Sequence, residues 1–109
     1  MDEHTINSGK TTAITAYITI VGTLIAIFMN LDDKNPYATF HTRQAFGIAI
    51  LFFGLAAIVP FFDSWLVSAS FYIFVFVLWG FGIVNAIQGV TRPIPLVGSI
   101  FQKWLTFIG

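Results

Sequence analysis

The chain has 109 residues, of which 57% are hydrophobic and only 9% charged, and its five basic side chains balance five acidic ones. An ordinary soluble domain carries roughly 25% charged residues, so too few charges remain here to coat a water-facing surface. A zero net charge leaves no basic field for nucleic acid, and the absence of cysteine removes disulfides, thiolate metal sites and cysteine nucleophiles.

This composition predicts an all-α integral membrane protein: one membrane domain with three transmembrane helices and a short amphipathic tail. A bilayer core about 30 Å thick needs about 20 mostly apolar residues per helix. Residues 12–29 form the first candidate and carry no charge. The segment before it holds Asp2, Glu3 and Lys10, and its exit holds Asp32 and Asp33 rather than small residues, which reads as a retained span and not a cleaved signal peptide. Thr11, just before it, and Thr15, Thr19 and Thr23 within it recur every four residues, a spacing that puts them on one helix face. A threonine hydroxyl can return to a carbonyl of the preceding turn. The face is read as a close-packing seam, with the wet wall of a conducting path as the alternative.

The second candidate, residues 45–62, is preceded by a helix start. Asn35 followed by Pro36 is an N-cap with proline at the first helical position. The first two turns therefore bring Tyr37 to Gln44 to headgroup level, and Pro60 ends or kinks the helix. His41 and Gln44 are three apart and share a face, and Arg43 between them is placed to reach lipid phosphates. The pair is expected to tie the start of this helix to the end of the third, near Gln88 or Arg92. His4, the other histidine, belongs to a different segment, so metal binding has no partner set. No base–nucleophile spacing accompanies His41, and no phosphate-cradling glycine loop is present. The expectation is a protein without catalytic residues, cofactor or metal.

The third candidate, residues 71–90, has Asn85 and Gln88 as its strongly polar members and stops at Arg92, Pro93 and Pro95. Both amides need partners in hydrocarbon. They are read as interhelical glue, with a polar binding site as the alternative. Residues 98–108 form the amphipathic tail, too short to span, expected to lie in the interface with Lys103 and Trp104 as anchors or to dock on a partner helix. With three spans, Lys34, Arg43, Arg92 and Lys103 share one side, which places the C-terminus in the cytoplasm and the N-terminus outside.

Two short motifs carry a resemblance. Asn35-Pro36-Tyr37, Phe40-His41 and Gln44-Ala45 form the first, and Asn85-Ala86, Gly89, Arg92 and Ile94-Pro95-Leu96 the second. Together they resemble a small bacterial membrane family of unassigned function, related to the twenty-kilodalton component of the chloroplast inner-envelope protein import translocon. The resemblance implies the bacterial inner membrane and, through the chloroplast kinship, a channel or protein-translocation role. The residues themselves favour a structural or accessory subunit that packs with itself or with a larger membrane-protein partner in the lipid bilayer. The alternative is an oligomeric channel or protein-translocation component whose path is lined by Thr15, Thr19 and Thr23 with Asn85 and Gln88.

Overall fold

The computed structural model describes residues 3–94, 98–106 and 108. Among them the regular structure is entirely helical: α1 (Glu3–Ile18), α2 (Ile20–Asp33), α3 (Pro36–Ile58), a short 3₁₀ turn (Val59–Phe61), α4 (Trp65–Gln88) and α5 (Gly98–Trp104). The expected family-motif residues Pro95 and Leu96 lie outside the described residues, as does Phe107 of the tail.

The first expected span is not one helix. Thr19 sits in extended backbone (φ −154°, ψ 176°) and separates α1 from α2. Its hydroxyl accepts from the Gly22 N–H at 3.1 Å, which makes it the N-cap of α2. The chain then folds back on itself. The Thr23 hydroxyl donates to the Ala16 carbonyl at 2.7 Å, and a Cβ at Gly22 would collide with the Thr15 carbonyl, so only glycine allows the two helices to approach so closely there. At the other end of the hairpin the Asn35 side chain donates to the Thr5 carbonyl at 3.0 Å. α1 and α2 therefore run antiparallel. At 1.5 Å per residue their 16 and 14 residues reach only about 24 and about 21 Å, short of a core of about 30 Å.

Among the described residues two helices are long and apolar enough to cross a membrane, Pro36–Phe61 and Trp65–Gln88, not the three expected. They pack antiparallel. Tyr37 at the start of α3 donates to the Ala86 carbonyl near the end of α4, and the Phe52 and Tyr72 rings meet 6.0 Å apart farther along. α3 begins where the sequence places it. Asn35 Oδ1 accepts from the N–H groups of Tyr37 and Ala38 at 3.0 and 3.1 Å, with Pro36 in the first turn. α4 ends at Gly89, whose φ of 78° favours glycine.

Everything else gathers at this end of the α3–α4 pair. The hairpin covers the first half of α3, and α5 lies across the same half. The Phe101 ring packs on Gly47, and Gln102 Nε2 donates to the Phe40 carbonyl at 2.9 Å. The result is a body of 49 × 23 × 22 Å with a thick base and a two-helix outer prong. Because α1 and α2 form a hairpin, residues 3–10 sit beside Asn35 and Ala38, at the same end as α5. The N-terminal segment and the C-terminal helix thus lie at the same end of the α3–α4 pair, where three crossings would put them at opposite ends.

Candidate functional site

The base is organised around the buried side chains of Tyr17, Tyr37, His41 and Gln44, each 2% exposed or less. α1 supplies Tyr17, and α3 supplies the other three at positions 37, 41 and 44, one helical face. The hydrogen bonds form a directed chain whose donors can be assigned by elimination. The Val90 carbonyl can only accept, so His41 Nε2, 2.8 Å away, carries the proton. Nδ1 then holds a lone pair, and the Tyr17 hydroxyl donates to it at 2.8 Å. The same hydroxyl oxygen accepts from Gln44 Nε2 at 2.9 Å. Gln44 Oε1 completes the chain by accepting the Ile94 N–H at 2.8 Å.

Three rings box the imidazole edge-on: Tyr37 at 4.8 Å, Phe40 at 5.1 Å and Tyr17 at 5.5 Å between centroids. Tyr37 donates to the Ala86 carbonyl at 2.6 Å, and Trp79 Nε1 donates to the Tyr17 carbonyl. With both nitrogens engaged the imidazole offers no free lone pair to a substrate. What the arrangement does is mechanical: it joins α1, α3 and α4 to the non-helical segment 90–94.

The His41–Gln44 pair does tie the second long apolar segment to the segment after α4, but through main-chain atoms of Val90 and Ile94. Gln88 and Arg92, the expected side-chain partners, are both exposed. Arg43 donates from Nε to the Ile108 carbonyl at 2.9 Å, clasping the C-terminal segment. Asn85 is buried, with its main-chain carbonyl accepting from the Gly89 and Val90 N–H groups. Its Nδ2 finds no partner, and neither does the Thr42 hydroxyl. Asn85 and Gln88 therefore do not act together.

The expected polar face of Thr15, Thr19 and Thr23 does not exist as a face, because the helix breaks at Thr19. Thr15 donates back to the Thr11 carbonyl at 2.7 Å on α1, Thr19 caps α2, and Thr23 bridges the two arms. On α3, Gly47 is covered by Phe101, while a Cβ at Gly54 would meet nothing within 4 Å. The tail docks on its own chain through Phe101, Leu105 and Ile108, leaving Lys103 and Trp104 exposed. No group of three or more His, Asp or Glu side chains comes together among the described residues.

Sequence reasoning found His41, Gln44 and the Asn35-Pro36 start, and missed the role of Tyr17. A tyrosine within an uncharged run reads as apolar filler. Its pairing with His41, 24 residues away, follows only from the hairpin. Tyr37 was visible as part of the first motif, but not as a donor to α4. No protein-family model, curated protein or solved structure matches the chain.

Proposed function

We propose that this is a membrane-embedded structural or accessory subunit, with α3 and α4 crossing the bilayer and the α1–α2 hairpin entering and leaving from the same side. One observation carries the reading: the buried polar side chains of the base are engaged almost entirely within the chain, while the long helices turn apolar surface outward. Of the 18-residue apolar stretch in each candidate span only 28% and 17% is buried, where the core helix of a water-soluble protein would be mostly covered. Phe28, Phe53, Ile73, Phe76 and Val77 are all more than half exposed. Surface of that kind meets lipid tails or other apolar helices.

Charge supports the same reading. Between Gln44 and Thr91 the sequence carries a single charge, Asp63 at the far turn. All five basic residues, Lys10, Lys34, Arg43, Arg92 and Lys103, belong to the base. The positive-inside rule puts that end, with both termini, in the cytoplasm, and the motif resemblance suggests a bacterial inner membrane. The translocon kinship rests on those motif residues alone. A conducting role draws no support from the threonines, whose broken stripe lines no path.

The test is purification of a tagged chain from native membranes in mild detergent, with native mass and identification of co-eluting proteins. A stoichiometric complex, either with a larger membrane protein or of several copies, is expected. A lone monomer that leaves the membrane on alkaline washing would overturn the reading.

A further inference from the structure

The hairpin stops beside Ala45–Ala49, and beyond its tip lies a cleft of about 450 Å³ walled by α3 and α4. Ile18 and Ile20 form its floor, Ala49 and Phe53 one wall, Phe76 and Trp79 the other. No charged side chain lines it. Two observations identify the medium that fills it.

First, the tip is finished for a dry setting. Carbonyls at the end of a helix ordinarily turn to water. Here the last turn of α1 is capped by side chains, the Ala16 carbonyl by the Thr23 hydroxyl and the Tyr17 carbonyl by the Trp79 indole. Backbone that ends at membrane depth is tolerated only when its polar groups are satisfied in this way. Second, the cleft opens onto the apolar belt of the long helices. Ile18, Phe53 and Phe76, 61%, 55% and 67% exposed, belong to both. From Ala49 to Phe61, α3 and the 3₁₀ turn that follows it continue for about 20 Å above the tip, comparable with one leaflet of a core about 30 Å thick.

We infer that the cleft above the Thr19 tip is a binding site for a phospholipid acyl chain, descending from the leaflet on the Asp63 side and resting on the hairpin. This rests on the membrane reading above. The chain replaces the missing half of the hairpin and keeps Trp79 and the tip carbonyls out of water.

The test uses Trp79 as reporter. The chain has three tryptophans, so a variant with Trp65→Phe and Trp104→Phe leaves Trp79 alone. It is reconstituted in phosphatidylcholine vesicles with increasing fractions of lipid brominated at mid-chain, a contact quencher. Site occupancy predicts at least twofold quenching that saturates at a low brominated fraction. Ala49→Phe, which fills the cleft, should restore at least half of the lost fluorescence. Absent quenching, or quenching that grows in proportion to the brominated fraction and ignores Ala49→Phe, overturns the site. So does a doubled native mass with unquenched Trp79, which would put a second copy in the cleft. Flotation of the same vesicles separates the two claims: protein that fails to float defeats the membrane reading itself, whereas protein that floats with Trp79 unquenched defeats only the acyl site.

Discussion

The base and the outer prong of this molecule are built from the same two long helices by opposite means. In the base, residues 37–48 of α3 are packed by the hairpin, α4, the non-helical segment 90–94 and α5, and most buried polar groups are paired through named atoms, the Thr42 hydroxyl and Asn85 Nδ2 being the exceptions. In the prong, Phe53, Ile58, Phe61, Trp65, Leu66, Ile73 and Phe76 are exposed on a bare helical pair. Specific geometry is concentrated where polar groups are buried, because an unpaired buried donor or acceptor costs about 1–3 kcal/mol. Apolar side chains facing hydrocarbon carry no such penalty and need no fixed partner. The base thus defines the fold, and the prong supplies surface.

That contrast predicts a steep gradient of mutational cost, read as thermal stability in detergent. His41→Leu should be the most damaging change, because it strands the Val90 carbonyl and the Tyr17 hydroxyl together, at a cost of about 3 kcal/mol or more. Tyr17→Phe keeps the ring but leaves His41 Nδ1 and one Gln44 proton unpaired, and should cost about 2 kcal/mol. Asn35→Ala removes the cap of α3 and the bond to Thr5, for a loss of about 1–2 kcal/mol. Phe53→Ala in the prong should shift stability by less than about 0.5 kcal/mol. A loss at Phe53 that rivals the loss at His41 would erase the distinction. Thr42→Val sharpens it from the other side: it removes a buried hydroxyl that has no partner, so it should be neutral or stabilising despite lying in the base.

The legible parts of the sequence were those where one residue type does one local job. Asn35-Pro36 starts α3 because an amide caps and proline fixes the first turn. The stop of α4 was legible only approximately: Pro93 cannot continue a helix, but α4 already ends at Gly89, in the left-handed conformation, ahead of the expected Arg92. His41 and Gln44 stood out because polar groups beside an uncharged run must find partners. The hairpin was not legible for the complementary reason. Residues 12–29 are uncharged and contain no proline, and their threonine spacing fits an unbroken helix. Thr19 breaks the helix through a cap whose value depends on tertiary packing, with Gly22 against Thr15 and Trp79 on the Tyr17 carbonyl. Without the hairpin Tyr17 cannot be paired with His41, and an unbroken first span would carry Lys10 away from Arg43 and Lys103, whereas the hairpin brings it to the same end, beside Gly89. The amphipathic tail was legible as amphipathic, but its docking face on Gly47 and Phe40 was not.

The hairpin is the central claim, and the absence of cysteine makes it directly testable. Single variants Ser8→Cys, Ser64→Cys and Ser99→Cys, all at exposed positions, can be labelled with a membrane-impermeant maleimide in right-side-out and inverted vesicles. The account predicts that positions 8 and 99 react from the same face and position 64 from the opposite one. Labelling of positions 8 and 99 from opposite faces would restore three crossings and contradict the hairpin.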